Sequence, residues 1–598
     1  MTWTYEAPID DMRFVLEQVL EAPRSWAGCA PFADLDVDTA TAVMHEAARF
    51  AAGVLLPANA PGDRVGCVRE ADGSVRTPPG YREAYRAFVE GGWPALPCDP
   101  AWGGQGLPLL LDAATREMFV ACNHGWVMYP DLLHGAYETI KAHAGEALKA
   151  QYLEKVATGQ WLAAMALTEP QAGSDLGLLR TRGELQADGS LRVSGSKIFI
   201  SGGEHDLTDN IVHLVLLRLP EAPAGTKGLT LALVPKFLPD GTRNAMHCDG
   251  IEHKMGIHGS ATCQMRYEGA TGWLVGEPNR GLAAMFLMMN SARLHVGLQG
   301  LGHQEIATQN ALRYALERVQ GRVALAPSVG AAQAGAPAAA AARAADPIAL
   351  HPAMRHTLLR LQAMTEAQRV VAYRAALALD EAAHHADPAV RARAAGLAAL
   401  LTPIVKAFCT HHGFHAASAA LQVFGGYGYV AEYGIEQTVR DARIAMVYEG
   451  TNEIQAVDLL QRKVLADGGA VLRAWLEEAR AEAQRCEGAG LADFATALRA
   501  QCDATEVATE SVAAAAAAAA DREAPLRVAD DYLMGLSHAF LAWAFAASAR
   551  GAQGHPDAAW AQAKTARMRY GVQWVLPQAQ VHWARAADAG LVLPLVST

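Results

Sequence analysis

The spacing of apolar residues divides the chain into helical blocks set around one stretch of different texture. Met12, Val15, Leu16 and Val19 recur at helical intervals, which predicts a short helix over Asp11–Leu20. From about residue 40 to 160 the pattern stays helical, broken by turn-rich stretches at Pro57–Gly62 and Gly91–Pro108. Between about 163 and 277 it changes to short runs: Leu191–Val193, Ile198–Ile200, Ile211–Leu217 and Leu229–Val234. Gly, Pro or Asp bounds each run, so a small β domain is expected here. Alternation along the runs is imperfect, which leaves barrel and sandwich both open. Helical spacing returns from Gly281 to about Val319 and from Met354 to about Leu421, and Ala-rich helices, including Tyr532–Ala547 and Ala558–Val575, fill the chain beyond Leu460. Val323–Pro352, rich in Ala, Gly and Pro, reads as a surface loop with no core to join.

The expected architecture is therefore mostly α with a small central β domain. Its parts are an N-terminal extension (1–40) lying outside the main core, a helical domain (41–162), the β domain (163–277), a helical bundle (278–460) carrying the insert 323–352, and a C-terminal helical domain (461–598). A length of 598 residues agrees with about four domains of ordinary size. Fifty Lys and Arg against 62 Asp and Glu give a net charge of -12, which offers no general attraction to nucleic acid or anionic membranes. The nine cysteines are odd in number and never form a CxxC pair, so reduced thiols are expected, not a disulfide framework or a zinc site. Neither a basic-then-apolar leader nor a run near the roughly 20 apolar residues of a membrane span is visible, and a cytoplasmic protein is the expectation.

The candidate chemistry centres on Val447-Tyr448-Glu449-Gly450-Thr451, one carboxylate between an aromatic ring and a glycine, just before a helix that Thr451 or Asn452 can cap. On these residues alone two readings stand: a solvated charge favoured by the helix dipole, or a base that removes a proton next to a thioester carbonyl. A second stretch, Met165-Ala-Leu167-Thr168-Glu-Pro-Gln-Ala-Gly173-Ser174-Asp175, joins a hydroxyl to a loop with free backbone N–H groups, which suits a flavin edge or a phosphate as well as a plain turn. A third is Gly195-Ser-Lys-Ile-Phe199-Ile-Ser201-Gly-Gly203. His247, His253 and His258 sit on a β and loop segment without converging carboxylates, so no metal site is expected.

RDARI (440–444) followed by YEGTNEIQ (448–455), together with TEPQAGSD (168–175), GSKIFISGG (195–203) and EHKMGIHGS (252–260), resembles the signature stretches of acyl-CoA dehydrogenases. The resemblance implies FAD as cofactor and Glu449 as the catalytic base. In some members the base instead precedes an Arg on an earlier helix. The matching pair here is Ala292-Arg293, and alanine cannot do that work. By the same resemblance, Met165, Leu167, Thr168, Gly173 and Ser174 hold the flavin, Phe199 covers its ring, and Ser201 presents a hydroxyl near N5. Many relatives carry Trp and Thr in the last two places, and Gly202 stands where Asn is usual. Arg318 with Gln422, Gly425 and Gly426 matches residues that reach the adenine half across a subunit interface, although Val319-Gln320-Gly321 replaces the usual Thr-Phe-Gly. Thr451 resembles a further cofactor contact. Substrate contacts fall on Ser174, Arg293, Tyr448 and Gly450. The implied reaction is α,β-dehydrogenation of an acyl-CoA to trans-2-enoyl-CoA, with electron-transfer flavoprotein as acceptor and a homodimer as the working form. The N-terminal extension, the EHKMGIHGS form and the helical tail are most similar to the long bacterial branch that acts on 3-methylmercaptopropionyl-CoA or fatty acyl-CoA. An acyl-CoA oxidase, and a flavin-bearing relative that binds DNA or protein, are the rival expectations.

Overall fold

Helix α1 (Ile9–Phe14) continues into a wide π-helical turn, Val15–Val19, close to the predicted span. Met12, Val15 and Leu16 are fully buried in the main core, and Phe14 meets Trp560 edge-on at 5.0 Å. Asp11 pairs with Arg369 at 2.6 Å and also with Lys564. These contacts overturn the expectation that the N-terminal segment lies outside the core. An amphipathic helix this short needs a partner face, and here the partners come 358 and 553 positions later in the chain, out of reach of any local pattern.

The computed structural model describes residues 3–323, 345–518, 521, 523–590, 594 and 596. Helix α2 (Leu109–Val127) is buried along almost all of its length and kinks at Asn123, whose φ of -161° and ψ of 83° leave the helical region. The Asn123 side-chain oxygen accepts from the Tyr81 hydroxyl at 3.1 Å and the Trp126 N–H at 3.0 Å, which holds the kink.

The β domain comprises β1 (Leu162–Ala166), β2 (Arg182–Leu185), β3 (Leu191–Ser201), β4 (Ile211–Arg218), β5 (Leu229–Pro235), β6 (Met246–Ile251) and β7 (Thr262–Leu274). Strands β4, β2, β3, β7 and β5 pair in that order and β5 returns to β4, closing a ring; β1 lies parallel beside β4, and β6 is antiparallel to β7. The domain is thus a closed barrel. Every residue of β5, and all of β4 but its last, is buried. Burial on both faces removes the alternation that would have distinguished a barrel from a sandwich in the sequence.

Helix α3 (Gly281–Glu317) starts against the barrel: a Cβ on Gly281 would lie 2.2 Å from the Leu231 nitrogen. Helices α4 (Pro352–His384), α5 (Pro388–Ile404) and α6 (Thr410–Phe424) complete the bundle, with a π-helical turn, Val405–Cys409, joining α5 to α6. α3 and α6 cross backbone to backbone, since a Cβ on Gly413 would come 2.3 Å from the Gly300 carbonyl oxygen. Short helices α7 (Ile435–Ala442) and α8 (Asn452–Val457) flank the Glu449 loop. The C-terminal part is α9 (Ala470–Gly488), α10 (Ala492–Ala517), α11 (Ala524–Ala552), α12 (Ala558–Tyr570) and α13 (Ala579–Ala587). Its core includes Trp475 stacked on Phe540 at 3.7 Å.

Two further expectations change. Pro388–Tyr429 and Ala524–Ala552 are, by length and composition alone, long and apolar enough to cross a membrane. Their most apolar windows are 67% and 94% buried inside the protein, so long Ala-rich helices here serve as core. Residues 324–344 of the predicted surface loop lie outside the described residues, but its far end does join the body. Val319 bridges to Pro347, the Gln320 N–H donates to the Asp346 carbonyl at 3.0 Å, and Ala349 is buried.

Candidate active site

Glu449 and Gly450 both adopt left-handed backbone conformations, with φ of 59° and 81°. For a glutamate this costs about 1–3 kcal/mol and persists only where neighbours hold it. Several do. Gln455 Nε2 donates to the Glu449 carbonyl at 3.0 Å and the Gly450 carbonyl at 3.4 Å, and Lys406 Nζ donates to the Gly450 carbonyl at 2.7 Å. The Thr451 hydroxyl caps α8 by accepting the Ile454 N–H at 3.4 Å, so of the two predicted caps it is Thr451 that serves. Glu449 as a residue is half-buried, and its carboxyl is surrounded by protein. Burial raises its carboxyl to about 7, while Arg293 and Lys406 hold it down and Asp131 pushes it up. A carboxyl poised near neutrality is suited to proton abstraction.

Arg293, on α3, acts on this carboxylate through its positive charge. It is buried, with Nη1 3.5 Å from Asp458 and Nε without a partner in the protein, so it is no surface side chain. Ala292 beside it is likewise buried.

Tyr448 anchors the other side. Its hydroxyl lies 2.5 Å from Gln299 Oε1, 3.2 Å from His124 Nε2 and 3.4 Å from Met128 Sδ. Gln299 in turn donates to Asp131 at 2.9 Å, and His124 Nδ1 is 2.9 Å from His303 Nε2. Asp131 also accepts from Arg116 at 2.9 Å. No motif marked these groups; polar residues on otherwise apolar helix faces were the available signal.

The flavin-like stretches meet around β3. Lys197 pairs with Met265 and Ile200 with Cys263, so a bulge leaves Ile198 and Phe199 opposite a single residue of β7. Phe199 sits there at φ 59° and is 58% exposed, an aromatic ring turned out of the barrel core. The Ile198 N–H donates to the Thr168 carbonyl at 2.9 Å, tying the bulge to the 168–175 loop. Beneath them Lys197, fully buried, donates to the Leu167 carbonyl at 2.8 Å and to Glu169 at 2.9 Å. Glu169 also accepts the Arg180 and Thr181 N–H groups at 2.7 and 2.9 Å. Burial would raise this carboxyl, but Lys197 and those donors bring it down to about 2. Met165 and Thr168 are half-buried, Leu167 is buried, and Gly173 and Ser174 are exposed on the loop. Ser201 is half-buried at the end of β3.

The 252–260 stretch braces the segment that leads into the Glu449 loop. The Ile257 N–H donates to Asp441 at 2.5 Å, and Asp63 joins Arg440 at 2.7 Å to His258 at 2.9 Å.

Family models place this arrangement. "Acyl-CoA dehydrogenase, middle domain" matches residues 164–270, "Acyl-CoA dehydrogenase, C-terminal domain" matches 320–465, and "Acetyl-CoA dehydrogenase C-terminal like" matches 473–593. The chain is 43% identical over 479 residues to 3-methylmercaptopropionyl-CoA dehydrogenase of Ruegeria pomeroyi, covering 79% of each protein. It belongs to the acyl-CoA dehydrogenase family. A second relative, the broad-specificity linear acyl-CoA dehydrogenase FadE5 of Mycobacterium tuberculosis, is 35% identical over 78% of this chain and 76% of its own length. The structure of an acyl-CoA dehydrogenase complexed with FAD from Bacillus anthracis superposes with a TM-score of 0.73 at 21% identity, over 92% of this chain and 88% of that one, and shares the fold.

In this acyl-CoA dehydrogenase the remaining predicted cofactor residues lie apart from the Glu449 loop. A cavity of about 510 Å³ is lined by residues including Tyr314, Arg318, Ile348, Gly425, Gly426 and Tyr427. Arg318 lies 5.6 Å from the Tyr427 ring centre, and a Cβ on Gly425 or Gly426 would meet nothing within 4 Å. Gln422 is exposed nearby on α6 and does not line the cavity. None of Thr168, Phe199, Ser201, Arg293 or Glu449 lines it either. The predicted cofactor set thus forms two groups on one chain.

Proposed function

We propose that the enzyme binds FAD and removes hydrogen from the α and β carbons of 3-methylmercaptopropionyl-CoA or a fatty acyl-CoA, giving the trans-2-enoyl-CoA. The carrying observation is Glu449: a carboxylate on a clamped, left-handed loop, its acidity brought to about 7 by burial against the charges of Arg293 and Lys406. The residues fit a flavin dinucleotide. Phe199 offers an uncovered ring beside Thr168 and Ser201, and the open glycine cradle at Gly425 and Gly426, with Arg318, suits a phosphate-bearing adenylate. When bound, FAD supplies the acceptor for the β hydride. Glu449 takes the α proton. The Glu449 N–H, which has no backbone partner among the described residues, meets the charge developing on the thioester oxygen.

Because the Arg318 cavity stands apart from the Glu449 site, the reading includes a homodimer in which each chain lends that cavity to its partner's cofactor. Electron-transfer flavoprotein is the proposed acceptor. Nine unbridged cysteines suit a reducing cytoplasm.

The test is a panel of short, medium, long and thioether acyl-CoA substrates added to purified holoenzyme while flavin absorbance is followed. Bleaching by at least one class is expected, without peroxide release; peroxide would move the assignment to an oxidase, and an unresponsive panel would defeat it. With the best substrate, the reduction rate should climb with pH through an inflection near 7, because only the deprotonated carboxylate accepts a proton. A rate that is flat across neutrality excludes Glu449 as the base. Arg318→Ala should lower FAD retention while leaving the chain folded, read as flavin lost on gel filtration.

A further inference from the structure

Lys406 enters that reading only as one bond to the Gly450 carbonyl and a nearby charge, yet its surroundings are built on the Glu449 loop. It lies in the π-helical turn Val405–Cys409 between α5 and α6, a widened turn of the kind helices keep at functional sites. Its side chain is fully buried. An ammonium removed from water must find acceptors, and both of those Lys406 has belong to the loop: the Gly450 carbonyl at 2.7 Å and Asn452 Oδ1 at 3.0 Å. Asn452 is fastened to the same turn, donating to the Ala407 carbonyl at 3.1 Å and accepting from the Thr410 hydroxyl at 3.2 Å. Burial pulls the Lys406 ammonium down to about 7 and Arg293 acts the same way, while the carboxylates that hold its proton on are Glu449 first and Glu453 after it.

We propose that Lys406 is a positioning residue for the base: its buried ammonium ties the Gly450 carbonyl and Asn452 to the π-helical turn, so that Glu449 stays in the left-handed conformation that presents its carboxylate. The inference rests on Glu449 being the base. Without Lys406 the Gly450 carbonyl is left with Gln455 at 3.4 Å, and only the Ala407 and Thr410 bonds of Asn452 tie the segment to the turn; a misplacement of about 1 Å costs about 10²-fold in rate. The same cation also acts on the proton. The charged groups facing Glu449 are Arg293 from α3, Lys406 from the π-helical turn and Asp131 from the turn after α2. In the wild type the inflection belongs to the Glu449–Lys406 pair, since both groups are brought to about 7; without Lys406, Arg293 is left to offset burial and Asp131, and Glu449 keeps its proton to higher pH.

The experiment compares flavin reduction by acyl-CoA in wild-type holoenzyme, Lys406→Met, Lys406→Gln and Lys406→Arg, on both sides of neutral pH. Lys406→Met is expected to reduce about 10²-fold more slowly and to shift the inflection alkaline by about one pH unit, with substrate affinity within about threefold. Lys406→Gln keeps a donor without the charge, so it should recover part of the rate but not the inflection; Lys406→Arg should recover the inflection. A role confined to folding would lower protein yield and leave the inflection of the soluble fraction in place. That outcome, or a Lys406→Met enzyme with the wild-type rate, overturns the proposal. Glu449→Gln run in parallel separates the two ideas. If it still reduces its flavin, the base assignment fails; if it is inactive while Lys406→Met is unchanged, Lys406 alone is misassigned.

Discussion

Replacing Glu449 by Gln is expected to give a folded, yellow protein that binds acyl-CoA and reduces its flavin about 10³-fold more slowly than wild type, within the usual range for loss of a general base. The substitution keeps the side chain's length and shape. Gln455 and Lys406 contact backbone carbonyls of the loop, so the left-handed turn should survive. Arg293 keeps Asp458 as its counter-charge. What disappears is the carboxylate poised to accept a proton near neutrality. Stopped-flow flavin absorbance checks the rate, and titration with a CoA thioether that cannot be oxidised checks binding. A normal rate of reduction sinks the assignment; a colourless, aggregated variant would show instead that the carboxylate holds the loop.

The second large effect is expected at Lys197. In Lys197→Met, Glu169 keeps the Arg180 and Thr181 N–H donors but loses its cation while remaining buried. Breaking such a pair from one side costs about 3–5 kcal/mol, because an uncompensated charge stays behind. Glu169 organises the 168–175 loop and Lys197 holds the Leu167 carbonyl, so the loss should appear as a lower thermal midpoint and as flavin released on gel filtration. Adding Glu169→Gln to Lys197→Met should return part of the stability, since the stranded charge is gone. If the single variant melts and retains flavin like wild type, the pair is not what organises the loop.

Lys197 and Lys406 also mark where reading the sequence stops. The peptide around Glu449 was legible because a carboxylate, an aromatic residue, a glycine and a capping threonine are consecutive, and a loop's chemistry is local when its residues are neighbours in the chain. Phe199 was legible for the same reason, although the bulge that turns its ring outward depends on pairing with β7. Lys406 was not singled out. It stands alone in an apolar helical run, and its acceptors lie 44 and 46 residues further on. The Tyr448 socket was equally hidden, with Gln299 and His124 separated from it by 149 and 324 positions.

The order of helical and β blocks, the candidate peptide around Glu449 and the family of the chain follow from the sequence by itself, because periodicity and contiguous motifs are properties of neighbouring residues. Tertiary structure alone decided that the barrel closes, that the first helix belongs to the core, that Arg293 is buried, and that two lysines stand beneath the loops bearing Phe199 and Glu449. Each of these depends on which distant surfaces meet. Burial and charge, which tune a carboxyl or strand a lysine, arise only once those surfaces have come together and excluded water.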